Sequence, residues 1–136
     1  MACAALLIAC ANAALAQRTV YGAWHDNTAR PSPAGQLHVS QDTIRIGRTL
    51  VYKTRYIAPF GNGALFRVLG VNRKRDPLGC GLTGRIEFIA IKTLSAAPSV
   101  AASPAITVFF YSGTTAPTEQ TIDNDIHLCS VRPFGQ

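Results

Sequence analysis

Asp123, Asp125 and His127 stand at positions i, i+2 and i+4. On an extended strand all three would share one face, and two carboxylates with an imidazole can ligate a divalent metal. Asp-Asn-Asp is also ordinary turn chemistry. The turn reading is preferred here, so no metal and no cofactor is expected. Other reactive groups are sparse. The histidines are His25, His38 and His127, and Glu87 and Glu119 are the two glutamates. His25 and Asp26 are adjacent, but adjacency alone gives no working geometry. Neither a Gly-x-Ser-x-Gly nucleophile elbow nor a His-Glu-x-x-His metal pair occurs. The sequence therefore points to a non-catalytic protein with no assigned catalytic residue.

Charge is the stronger pattern. Nine bases lie between positions 45 and 85: Arg45, Arg48, Lys53, Arg55, Arg67, Arg73, Lys74, Arg75 and Arg85. The same span holds one acid, Asp76, whereas the other positions carry four bases and six acids. A basic concentration of this kind attracts carboxylate or phosphate polymers and steers encounter with them. Arg73-Lys74-Arg75 is the expected main contact.

Which polyanion is available depends on compartment. Residues 1–16 contain no charged side chain and end in Ala14-Leu15-Ala16, the pattern of a secretory signal peptide cleaved after a small residue. The apolar run is too short to span a bilayer. Leu7-Ile8-Ala9-Cys10 also resembles a lipobox, which offers lipid anchoring through Cys10 as the lesser alternative. Residues 17–136 then form a single exported domain, periplasmic or secreted. Its two remaining cysteines, Cys80 and Cys129, are expected to pair in an oxidising compartment. Ten Arg against three Lys, with abundant Ala, suggests a GC-rich bacterial coding bias. The expected partner is an acidic envelope component or protein. Peripheral membrane contact is allowed, and nucleic acid is not expected in that compartment.

The elements that would position these groups are strands. Gln36–Ser40 and Thr43–Ile46 alternate apolar and polar around Gln41-Asp42, which suits a tight hairpin. Leu50–Ile57 sets Tyr52, Thr54 and Tyr56 on one face and Val51, Lys53 and Arg55 on the other. Further strands are expected at Thr19–Trp24, Leu65–Val71, Arg85–Leu94, Ile106–Tyr111 and Ile126–Val131. The Arg85 and Ile106 runs are apolar on both faces, which suggests central strands. Ser95–Pro104 is a low-complexity Ala/Ser/Pro connector, and residues 113–124 read as a similar, more polar one. Outside the leader, no amphipathic helical period persists. The fold class is all-β: a small antiparallel β-barrel or β-sandwich of seven or eight strands, preceded by a cleaved signal peptide.

Gly22-Ala23-Trp24 resembles the Gly-x-Trp that opens lipocalin and avidin-like barrels, where the Trp plugs the closed end. Three residues assign no family, and Trp24 is read as a core aromatic. The function expected from these readings is binding of an acidic partner. The alternatives are a hydrolase inhibitor acting through Asn72–Leu78 or the Ala/Pro connector, and a lipocalin-like carrier of a small apolar ligand.

Overall fold

Alternating β-branched and aromatic residues leave one face of each strand needing cover, and a sheet can supply that cover by curling onto itself. The computed structural model, described over residues 19–26, 35–94 and 104–136, does so. Its strands are β1 (Gly22–Asp26), β2 (Gln36–Val39), β3 (Thr43–Ile46), β4 (Leu50–Phe60), β5 (Gly63–Val71), β6 (Phe88–Leu94), β7 (Ala105–Tyr111) and β8 (Leu128–Gly135). They form a closed antiparallel barrel in sequence order. The expected barrel-or-sandwich choice thus resolves to an eight-stranded barrel. The expectations for the leader, for Cys10 and for most of the Ala/Pro connector lie outside the described residues.

The interior is built from every second residue. Trp24, Leu37, Val39, Ile44, Ile46, Tyr52, Phe66, Ile89, Ile91, Val108, Phe110 and Phe134 form one buried cluster. Tyr52 and Thr54 face inward, as the alternation of β4 predicts, while Lys53 and Arg55 are exposed. The β2–β3 hairpin falls where Gln41-Asp42 placed it, and Ser40 closes it by accepting or donating to Thr43 Oγ1 at 2.7 Å. The first strand begins later than Thr19. Gly22 takes φ 126°, a conformation that side chains oppose, and the strand starts there, Thr19-Val20 before it being helical rather than extended. The indole N–H of Trp24 donates to the Val20 carbonyl at 3.0 Å, which seats the buried Val20 against the core.

A second apolar layer lies outside the barrel. Phe60, Leu65, Phe88, Ala90, Phe109 and Tyr111 cluster there with Ile122. Residues 113–124 are therefore not a loose polar connector. They fold back over β5, β6 and β7, and the short 3-10 turn Ile122–Asn124 delivers Ile122 into the cluster. This cover explains why β6 and β7 are apolar on both faces. It is pinned by Lys92–Glu119 at 2.9 Å and by Tyr111 Oη donating to Asp125 at 2.8 Å. Asp123 lies in the 3-10 turn. Asp125 accepts the His127 amide at 2.9 Å, and β8 starts at Leu128. The three residues thus serve a turn and do not share a strand face. Among the described residues no group of three His, Cys, Asp or Glu could hold a metal ion.

Cys80 and Cys129 form the expected disulfide, with their Cα atoms 5.6 Å apart. It ties the long β5–β6 loop to the start of β8. Closing a loop of 49 residues stabilises by about 4 kcal/mol in the chain-entropy picture.

Candidate functional site

Strand alternation places the basic residues. Arg45 on β3, Lys53 and Arg55 on β4, and Arg67 on β5 are all exposed on the outer face. Lys53 lies opposite Thr43, and Arg55 directly opposite Arg67. Like charges so paired repel. Arg67 is partly compensated by resting over the Phe88 ring, 5.5 Å from its centroid. In an antiparallel meander the loops after odd-numbered strands share one end of the barrel. Arg48 in the β3–β4 turn and Arg73, Lys74, Arg75 and Arg85 in the β5–β6 loop therefore gather at that end. Asn72 joins the two loops: its side chain accepts the Val51 amide at 2.8 Å and donates to the Thr49 carbonyl at 2.7 Å. Arg73 adds a donation to Thr49 Oγ1 at 2.6 Å.

Asp76, the one acid of the span, is committed to the fold. It is buried and accepts from the Tyr52 hydroxyl, from the Leu78 amide at 3.1 Å and from the Ile86 amide at 2.8 Å. Burial, then the bond and the charge of Asp76, push the Tyr52 hydroxyl far above its ordinary pKa. Asp76 was legible only as a lone acid. Its partner Tyr52 sits 24 positions away, and no local signal connects them.

Beside this hub is a cleft of about 500 Å³. Arg67 to Val71 line it from β5, Arg73, Lys74 and Asp76 from the loop, and Arg85, Ile86 and Glu87 from the far side. Its cause is a split between two strands. The β5–β6 register ends at Arg67 opposite Phe88, and the Val68 amide still reaches the Glu87 carbonyl at 2.9 Å. Beyond that bond the segments part: β5 continues along β4 through a register shift near Thr54, while the Ile86 amide is held by Asp76. Arg67, Arg73, Lys74 and Arg85 thus face a common space with Glu87, the one carboxylate there besides the hydrogen-bonded Asp76. The structure brings these together and leaves Arg45, Lys53 and Arg55 outside the cleft on the adjoining outer face. Neither Arg48 nor Arg75 lines it.

Ion pairing is thin. Among the described residues, only Arg85 of the nine bases approaches a carboxylate, Glu87 at 3.9 Å, and its side chain is 71% exposed. Inside the barrel, Arg132 lies 6.0 Å from the Phe110 ring centroid, an inward base that the sequence reading missed because the strand was expected to end at Val131. The chain matches no protein-family model, no curated protein and no solved structure.

Proposed function

We propose that this protein is a non-catalytic binding module, exported to an oxidising compartment, whose basic side captures an acidic partner. The observation that carries this reading is the unbalanced charge. Eight of the nine bases between Arg45 and Arg85 have no carboxylate in ion-pair range among the described residues, and the acid of that span is buried and fully occupied. Exposed like charge held at one end of a crosslinked scaffold is costly to the free protein and is relieved by an anion. The Cys80–Cys129 disulfide supports an oxidising location.

Interior packing favours capture outside the barrel over carriage within it. The positions that would line a lipocalin-like cavity are filled by Trp24, Tyr52, Phe66, Phe110 and Phe134, each at most 2% exposed.

A pull-down from envelope extract at low and at physiological salt tests the reading. Partners should be retained at low salt, and retention should fall in the triple variant Arg73→Ser/Lys74→Ser/Arg75→Ser. Equal retention by the variant at both ionic strengths would refute it.

A further inference from the structure

Five consecutive residues of β5, Arg67 to Val71, line the basic cleft. Side chains of a strand point alternately to opposite faces, so a space that meets five in a row runs along the strand's edge. The ladder to β6 stops at the start of that stretch. Leu69 is 56% exposed there, and Gly70 is exposed beside it. On the outer face the cleft adjoins a mainly apolar depression of about 350 Å³, lined by Thr43, Val51, Lys53, Gly70, Val71 and Asn72. The two spaces share Gly70 and Val71. A Cβ added at Gly70 would meet nothing within 4 Å, so no atom crowds the strand at a residue that borders both.

Resting on the binding role argued above, we propose that the occupant of this cleft is an extended acidic segment of a partner protein, added as a strand along Leu69–Val71. An unpaired strand edge offers backbone donors and acceptors to such a segment. Its carboxylates meet Arg67, Arg73, Lys74 and Arg85, while an apolar side chain crosses Gly70 into the depression lined by Val51 and Val71. Main-chain pairing supplies affinity, and the basic rim selects acidic sequences. A diffuse phosphate surface would use the same charges but would have no need of the edge.

The test uses the folded, disulfide-bonded protein and a fluorescein-labelled, N-acetylated octapeptide of alternating Glu and Val. Anisotropy should show binding, and methylating alternate backbone nitrogens of the peptide should weaken it roughly tenfold or more. Gly70→Ile should weaken it similarly while circular dichroism stays unchanged, since the added side chain enters empty space. Hydrogen exchange at Leu69–Val71 should slow on binding. Equal affinity for the methylated peptide, or for Gly70→Ile, overturns strand addition and leaves the acidic-partner reading standing. Binding to phosphatidylglycerol vesicles without binding the peptide does the same. Failure to bind the peptide, the vesicles and heparin alike overturns both.

Discussion

Asp76 shows how one side chain can decide the shape of a surface. Its two carboxylate oxygens take a phenol from β4 and amides from both sides of the β5–β6 loop. Asp76→Ala leaves the buried Tyr52 hydroxyl and Ile86 amide and the half-buried Leu78 amide without this acceptor, and each loss at a buried donor costs about 1–3 kcal/mol. We expect the midpoint of urea unfolding to fall accordingly, and amide exchange at Leu78 and Ile86 to accelerate well before the barrel core. Tyr111 and Asp125 form a second pair with a clear pH signature. Burial first, then the bond and the charge of Asp125, hold the Tyr111 hydroxyl up at about 12. The His127 amide first, then Tyr111 itself, hold Asp125 below the usual carboxylate range. A raised tyrosine contributes stability that is intact below its unfolded pKa, near 10, and is lost as pH climbs through about 12. A depressed aspartate contributes stability that is present above its unfolded pKa and is lost as pH falls through the folded one. Phenolate absorbance should therefore show the Tyr111 step near pH 12 in the wild type, and at lower pH in Asp125→Asn.

At the scale of elements, the fold-back of residues 113–127 is the part that hydropathy concealed. Ile122 is 1% exposed, yet it sits in a run of Thr, Glu, Gln and Asp that reads as solvent-facing. Ile122→Ala should cost about 2–4 kcal/mol in chemical denaturation. It should also raise the protease sensitivity of that segment more than that of the strands. Each strand was legible at least in part because alternation is a local property of neighbouring residues. Gln36–Val39, Thr43–Ile46 and the inward set of β4 needed nothing distant to be read. Non-local features were hidden: the ring closure, the split after Arg67, and the outer cover of Phe88 and Phe109 all depend on residues far apart in the chain. The pairing of Cys80 with Cys129 could be read because setting residues 1–16 aside as an expected leader leaves two thiols and one combination. For the site, composition disclosed its charge. Which of the nine bases share a cleft depends on where β5 and β6 separate, and separation carries no sequence motif.

For the molecule as a whole, the basic end should govern encounter more than residence. Surface charges act over a Debye length of about 10 Å at 0.1 M salt. Retention on phosphatidylglycerol vesicles, or on any acidic partner, should accordingly drop steeply between low and physiological ionic strength, chiefly through the association rate measured by surface plasmon resonance. A salt-independent association rate would contradict that view. The closure of the ring has a different outcome. Seven of the eight seams join strands adjacent in sequence, and each can zip as a local event. The eighth, among the described residues, pairs His25 with Gly135 and Asp26 with Phe134, residues about 110 positions apart. Searching for so distant a mate is slow relative to forming hairpins. Until that meeting, the nascent sheet has two raw margins, each able to recruit a neighbouring molecule. The hem between β1 and β8 is thus where folding competes with aggregation, and crowded expression should tax it there first.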